Sequence, residues 1–316
     1  MIKATVRIYD TVKLFVGPEP RLCWPISPAS RPLLLWLRRA ALAPEAALSL
    51  RNVKAAITFV LLCLPALADL AAGVQAYING DYSTALKEFL PLAKQGDATA
   101  QHNLGVMYDR GQGVRQDYVE AAKWWRMAAQ QGNSAAQFNL GLMYDEGHGI
   151  EQNYQEAVKW YSLAAKQGYA DAQYNLGLKY YFGKGVAQDY KNAAKWIRLA
   201  AEQGNAEAQN NLAVMYDQGQ GVEQDYEEAV KWYRSAAEQG FAGAQFNLGV
   251  MYAHGKGVPQ NYVQAHMWFN LAGADGDADT AKIAVKNRDE LARKMTPAQV
   301  EEAQQLAREW KPKARP

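Results

Sequence analysis

Hydrophobic and polar positions recur along most of the chain with a period of 36 residues. The period is marked by five leucines without an insertion between them: Leu104, Leu140, Leu176, Leu212 and Leu248. Each leucine follows an asparagine, and a tyrosine, a Gly-x-Gly pair, a tryptophan and a closing glycine come later in each unit. A period of this length indicates units that pack against their neighbours along a repeat array. We number these units repeats 1 to 5.

Within each repeat the apolar spacing predicts two helices, which we call helix A and helix B. In repeat 2, helix A is predicted over residues 135–145, where a stripe recurs at three- and four-residue steps. Gly141 lies in that stripe and leaves room for another helix to come close. Helix B is predicted over residues 154–167, because Asn153 is a favourable N-cap and Glu156 stands where a capping box requires it.

Two residue types that recur around helix B are expected to have structural roles. The tryptophans are expected to fill core space between units: Trp124, Trp160, Trp196, Trp232 and Trp268. The closing glycines fit the left-handed position that ends many helices: Gly132, Gly168, Gly204, Gly240 and Gly276. Beyond repeat 5, Thr296 and Pro297 predict the start of a closing helix, with threonine as its N-cap.

The repeated motif resembles the Sel1-like repeat family, a relative of the tetratricopeptide repeat. Repeat 1 writes it as Leu104-Gly-Val-Met-Tyr108, Gly111-Gln-Gly-Val114, Ala121-Ala-Lys-Trp124 and Ala128-Ala129. Departures are few: Ala213 replaces the glycine of Leu-Gly in repeat 4, and Lys179 replaces the methionine in repeat 3. The resemblance implies an all-α fold, a right-handed superhelical α-solenoid of stacked antiparallel helix pairs.

Five regions are expected along the chain. They are a mis-annotated or disordered leader at 1–52, a signal peptide at 53–68, a tetratricopeptide-like N-terminal capping unit at 69–96, the five repeats at 97–276, and C-terminal capping helices with a tail at 277–316. A basic start, a short apolar run and the ending Ala66-Leu-Ala68 are typical of a secretory signal peptide. Cleavage near Ala68 would place the protein in the periplasm of a bacterium or outside the cell.

Composition argues against several function classes. The first 68 residues hold nine of the 34 basic residues and three of the 32 acidic ones, so the remainder carries 25 basic and 29 acidic residues and a net charge of −4. We therefore expect no nucleic-acid binding, which needs a basic patch. Both cysteines, Cys23 and Cys63, precede residue 69. The mean hydropathy of −0.35 excludes a polytopic membrane protein, and the apolar run that ends at Leu64 is too short to span a bilayer. We therefore expect no membrane insertion of the mature chain.

Candidate catalytic chemistry is sparse in the repeats. Their Gly-x-Gly loops lack the Gly-Lys-Ser/Thr ending of a phosphate-binding loop. The four histidines are expected to be solvated rather than metal ligands: His102, His148, His254 and His266. We expect no enzyme activity, no metal and no cofactor. A β-lactamase-like envelope enzyme or drug-binding protein is a disfavoured alternative, since the Sel1-like proteins linked with that chemistry carry cysteine pairs in each repeat.

The resemblance to tetratricopeptide repeats implies that helix A lines a concave face that binds a partner protein or peptide. The predicted face comprises His102, Phe138, Leu142, Tyr174, Leu178, Phe182, Asn210 and Phe246, together with the asparagine ladder Asn103, Asn139, Asn175, Asn211 and Asn247. Each asparagine either holds an extended peptide or ties one repeat to the next by a hydrogen bond. The apolar members could instead be core residues.

These observations together predict a non-catalytic scaffold or adaptor of the bacterial cell envelope. A periplasmic regulator that binds a sensor domain is the first alternative. It shares the same sequence signature, so the pattern of residues does not separate the two.

Overall fold

The computed structural model describes residues 69–313. Every contact discussed below lies within residues 72–313. The predicted leader at 1–52 and the predicted signal peptide at 53–68 lie outside the described residues.

The described residues form fourteen helices and no strand. Their bounds are α1 (residues 69–78), α2 (Tyr82–Lys94), α3 (Ala98–Arg110), α4 (Tyr118–Gln130), α5 (Ser134–Glu146), α6 (Tyr154–Lys166), α7 (Ala170–Phe182), α8 (Tyr190–Glu202), α9 (Ala206–Gln218), α10 (Tyr226–Glu238), α11 (Ala242–His254), α12 (Tyr262–Asp275), α13 (Ala278–Ala292) and α14 (Pro297–Glu309). Helices α3 to α12 are the A and B helices of repeats 1 to 5 in chain order. Each A helix packs against the B helix of its own repeat, and each B helix packs against the next A helix. The fold is therefore an all-α solenoid of stacked helix pairs, as the sequence predicts.

The predicted N-caps of helix B are confirmed. The side-chain oxygen accepts from the backbone N–H three residues on at each of five positions: Asp117, Asn153, Asp189, Asp225 and Asn261. The predicted capping box at Glu156 is wrong, because Glu156 pairs with Lys159 instead. The backbone N–H of Asn153, which a capping box would bind, already donates to the carbonyl of Tyr144 at 2.7 Å. A complete capping box forms at Thr296, the predicted start of the closing helix.

The closing glycines adopt a left-handed conformation in four repeats and not in the fifth. Their φ angles run from 88° to 91° in repeats 1 to 4: Gly132, Gly168, Gly204 and Gly240. The prediction is wrong for Gly276, whose φ is −74° and ψ 160°. Helix α12 runs to Asp275, one residue further than the earlier B helices, and the chain leaves it in an extended conformation.

In four of the five repeats a glycine of helix A faces a large residue of helix B, and repeat 4 has Ala213 at the same position. A Cβ added to Gly141 would lie 2.7 Å from the ring of Tyr161, so the predicted close approach is confirmed. The expected packing of the repeated tryptophans between units is confirmed for Trp160, Trp196 and Trp232, which contact the hydrophobic cluster at the junction with the preceding repeat. These rings are only half-buried, however, and do not form the centre of the core. One residue advances a helix by about 100°, so the next position faces helix A instead. Its occupants are buried: Trp125, Tyr161, Ile197, Tyr233 and Phe269.

A row of buried glutamines also joins the repeats, and the sequence reading did not predict its role. The members stand three residues before each repeat leucine: Gln101, Gln137, Gln173, Gln209 and Gln245. Gln137 donates to the carbonyl of Ala129 at 3.1 Å and accepts from Gln167 at 2.7 Å. The same pair of bonds recurs at Gln101, Gln173 and Gln209, which ties the A helices of repeats 1 to 4 to the helices on both sides. The signal was the presence of glutamine at this position in all five repeats.

Candidate partner-binding face

The predicted face lies on the A helices α3, α5, α7, α9 and α11. Twelve of its thirteen residues are half-buried. The thirteenth, Phe182, is 59% exposed. The face is thus not a continuous exposed apolar stripe, and its members divide between packing roles and lining roles.

The aromatic members two positions before each leucine pack against neighbouring rings. The ring centroid of Phe138 lies 5.1 Å from that of Tyr169, and the centroid of Phe246 lies 5.7 Å from that of Phe269. Burial raises the pKa of the Tyr174 hydroxyl to about 12. These rings therefore contribute to packing between helices and remain partly exposed.

The asparagine ladder separates into two groups. Asn211 donates to the hydroxyl of Tyr174 at 2.9 Å, and Asn247 donates to the side chain of Asn210 at 3.1 Å. Both bonds cross from one repeat to the next, which is the inter-repeat role considered for the ladder. No side-chain hydrogen bond joins the other three amides to a described residue: Asn103, Asn139 and Asn175. For Asn175 the difference follows from the preceding repeat, since Phe138 offers no acceptor where Tyr174 and Asn210 do.

Two histidines depart from the expectation that they are solvated. His266 is buried, and half-buried His102 has an Nδ1 atom with no partner among the described residues. Burial lowers the pKa of His102 to about 4. For His266, burial is the larger cause of a lowered pKa, and the charge of Arg288 acts in the same direction. Both imidazoles are consequently neutral at pH 7.

A cleft of about 370 Å³ opens between repeats 1 and 2, and we call it the 1/2 cleft. Charged and polar side chains line one part of it: Asp109, Arg110, Asn139, Glu146 and His148. Apolar and aromatic side chains line the rest: Val106, Tyr118, Trp125, Leu142 and Met143. Burial raises the pKa of the Asp109 carboxyl, and the charges of Arg110 and His148 oppose that shift. The cleft therefore holds a partly desolvated acid.

A second cleft of about 290 Å³ occupies the equivalent place between repeats 3 and 4, and we call it the 3/4 cleft. Its lining is Leu178, Tyr181, Phe182, Ile197, Asn211, Val214 and Met215. Tyr181 stands here where the 1/2 cleft has Asp109, and Phe182 stands where it has Arg110. The two clefts thus share a position in the repeat and differ in chemistry, one charged and the other apolar.

The same place between repeats 2 and 3 contains an ion pair instead. Lys179 pairs with Asp145, and the two side chains are 10% and 18% exposed. The hydroxyl of Tyr161 donates to the same carboxylate at 3.3 Å. The Lys179 ammonium also lies 5.1 Å from the centroid of the Tyr154 ring. Lys179, which replaces the methionine of the other repeats, therefore has an ion-pair partner in Asp145. The sequence pattern did not identify that partner.

Among the described residues, no three His, Cys, Asp or Glu side chains come together in an arrangement that could hold a metal ion. Over the same part of the chain, no helix has both the length and the apolar character needed to cross a bilayer.

Comparison with known proteins gives a family model and several solved structures. The Sel1 repeat model matches five consecutive segments: residues 98–133, 134–169, 170–205, 206–241 and 242–277. A crystal structure of a Sel1 repeat protein from Oxalobacter formigenes is 33% identical, covers 78% of this chain and 99% of that chain, and superposes with a TM-score of 0.66. A protective antigen of uropathogenic Escherichia coli with an SLR fold is 27% identical over 78% of this chain and 76% of that chain, with a TM-score of 0.40. No curated protein matches the chain.

Proposed function

The chain belongs to the Sel1 repeat family, and from that premise we propose that it is a non-catalytic scaffold of the bacterial cell envelope. Sel1 repeat proteins generally act as protein-interaction scaffolds. In this proposal the A helices of repeats 1 to 4 bind a partner protein or peptide along the predicted concave face. The 1/2 and 3/4 clefts and the exposed ring of Phe182 are its main contact points.

The observation that carries the proposal is a contrast within helix A. Six residues after each leucine the side chain is exposed, and its chemistry differs in every repeat: Arg110, Glu146, Phe182, Gln218 and His254. The buried glutamine and leucine of the same helices are identical in all five repeats. Variation at accessible positions of helix A, on a scaffold whose buried positions are constant, is what recognition of a specific partner requires.

Site-specific photo-cross-linking in the native host tests this proposal. A photoreactive phenylalanine analogue replaces Phe182 in one variant of the full chain and Leu163, which is 44% exposed on helix B, in the control. We expect a discrete cross-linked partner from position 182 and none from position 163. Equal cross-linking from both positions, or cross-linking from position 163 alone, would contradict the proposed face.

Export to the cell envelope is supported by the sequence pattern at residues 53–68. Mass spectrometry of the protein isolated from its host would identify the N-terminal residue. We expect Asp69. A chain that begins upstream of residue 53 would contradict the predicted signal peptide.

A further inference from the structure

We propose that the 1/2 cleft binds a cationic group of the partner, a lysine ammonium or arginine guanidinium carried by an extended segment. The inference rests on the proposed function, because it names the chemistry of one contact on the proposed face. It comes from a comparison of three equivalent places within this chain.

The junction between repeats 2 and 3 shows what this place accommodates. The ammonium of Lys179 is held there by the carboxylate of Asp145 and lies over the face of the Tyr154 ring. A carboxylate and an aromatic ring together favour a cation, because the ring face carries negative potential. The chain thus supplies its own ligand at this junction.

The junction between repeats 1 and 2 has the same receptor without the ligand. Asp109 and Tyr118 stand one repeat before Asp145 and Tyr154, and both line the 1/2 cleft. Met143 stands one repeat before Lys179, so no ammonium comes from within the chain. The carboxylate of Asp109 has no ion-pair or hydrogen-bond partner among the described residues. The place that Lys179 fills at the junction between repeats 2 and 3 is therefore an open cleft at the junction between repeats 1 and 2.

The other charged side chains of the 1/2 cleft do not pair with the carboxylate of Asp109. The imidazole of His148 bonds Glu146 at 3.1 Å and stacks on Tyr118 with ring centroids 5.6 Å apart. The guanidinium of Arg110 lies 3.5 Å from the hydroxyl of Tyr77, in the N-terminal unit. Two carboxylates therefore face one guanidinium and one imidazole that is already bonded. An added ammonium would reach a partly desolvated acid that lacks a partner.

The 3/4 cleft restricts the form of the partner further. Its carboxylate position is occupied by Tyr181, and Leu178, Phe182 and Val214 make it apolar. Two repeat steps separate the clefts, roughly 20 Å if neighbouring A helices lie about 10 Å apart. An extended chain spans that distance in about six residues. The matching ligand is a segment with a lysine or arginine and, about six positions away, a large apolar side chain.

Fluorescence anisotropy with short blocked peptides tests the inference on the full chain. The probe carries one Lys and one Leu about six positions apart in a neutral spacer, in both chain orders, and its control has Gln in place of Lys. We expect the Lys peptide to bind roughly tenfold more tightly than the Gln peptide in one of the two orders.

Two variants locate the preference at the 1/2 cleft. Asp109→Asn should abolish the difference between the Lys and Gln peptides. Asp217→Asn is the matched control, because Asp217 holds the same position in repeat 4 but is one repeat from the 3/4 cleft and outside the span of the peptide. Met143→Lys should also abolish the difference while the protein stays folded by circular dichroism, since the new ammonium would pair with Asp109 as Lys179 pairs with Asp145.

Each outcome decides the inference. Equal binding of the Lys and Gln peptides, no binding of either, or a preference that survives Asp109→Asn would overturn the cationic subsite. If the Phe182 cross-linking still captures a partner in that case, the proposed scaffold function stands and only its cationic contact is wrong. If that cross-linking also fails, the proposed face itself is wrong.

Discussion

The buried side of the A helices is nearly the same in every repeat, whereas the exposed side differs from one repeat to the next. On the buried side the leucine, the small residue after it and the glutamine recur from repeat 1 to repeat 5 with little change. On the exposed side, six residues after each leucine, the repeats present in turn a guanidinium, a carboxylate, a phenyl ring, an amide and an imidazole. The buried side has to satisfy the same neighbour five times. The exposed side is not restrained by a neighbouring repeat, so its residues can differ and can determine which partner binds.

Position 179 is where this division breaks down. The equivalent position is methionine in the other four repeats, whereas repeat 3 has a lysine there that is 8% exposed. The charge is tolerated because Asp145 of the preceding repeat faces it. Asp145 stands where Asp109 lines the 1/2 cleft and Tyr181 lines the 3/4 cleft, so the buried lysine couples the two sides at this junction.

The largest effect is expected from a truncation on the buried side. Leu176→Ala removes a side chain that is 1% exposed and should cost about 2–5 kcal/mol of unfolding free energy. Phe182→Ala, six residues on, should change it by less than about 0.5 kcal/mol, because that ring is largely exposed. Urea denaturation of the two variants measures both. Similar losses would show that the two sides are not separate.

A pH-dependent effect is expected from His102. Its pKa is about 4 in the folded chain, below the ordinary 6.5, so only the unfolded chain binds the proton between those values. The contribution is fully present above pH 6.5 and is lost as pH falls toward 4, by up to about 3 kcal/mol. His102→Phe should remove this part of the pH dependence, because phenylalanine has no ionisable group. The position accepts this side chain in repeat 2, which carries Phe138 there. His266 acts in the same direction and remains in the variant. Unchanged pH dependence in His102→Phe would contradict the assignment.

Breaking the ion pair at position 179 tests the coupling between the two sides. Lys179→Met restores the residue of the other repeats but leaves Asp145 without its cation in a poorly exposed place. We expect a loss of about 1–3 kcal/mol, below the range for fully buried pairs. Lys179→Met combined with Asp145→Asn should recover most of it, since no unpaired charge remains. A double-mutant cycle by urea denaturation gives the coupling free energy, and a value near zero would refute the pairing.

A smaller effect is expected from the glutamine row. Gln137→Met keeps the volume but removes one hydrogen bond from the Ala129 carbonyl and one from the Gln167 amide. The Gly132 N–H and the Leu163 carbonyl remain as their other partners. The cost should be about 1–2 kcal/mol, measured by thermal unfolding. The same substitution at Gln245 should cost less, because its oxygen already lacks a partner among the described residues. Equal costs would contradict the bonding described for the row.

Local features of the fold could be predicted from the sequence, and contacts between helices only in part. The N-cap at Asn153 and the start at Thr296 depend on residues within one turn, so the pattern is sufficient. The capping box at Glu156 was wrong because Tyr144, in another helix, already binds the N–H that it needs. The pairing of Lys179 with Asp145 spans 34 residues and depends on a docking geometry that one repeat does not contain. The same limit explains why the sequence did not reveal which asparagines are free.

Exchanging the face of one repeat for that of the next is the most direct test of the account. Leu178→Val with Phe182→Gln gives repeat 3 the residues that repeat 4 has at these two positions, half-buried Val214 and exposed Gln218, and leaves the buried leucine and glutamine of repeat 3 unchanged. The measurement is the affinity of this variant for the partner identified by cross-linking, with the unfolding free energy as control. We predict an affinity loss of roughly tenfold or more and a stability change below about 1 kcal/mol. An unchanged affinity, or a fall in stability that accounts for the loss of binding, would contradict the claim that the exposed side of the A helices carries recognition.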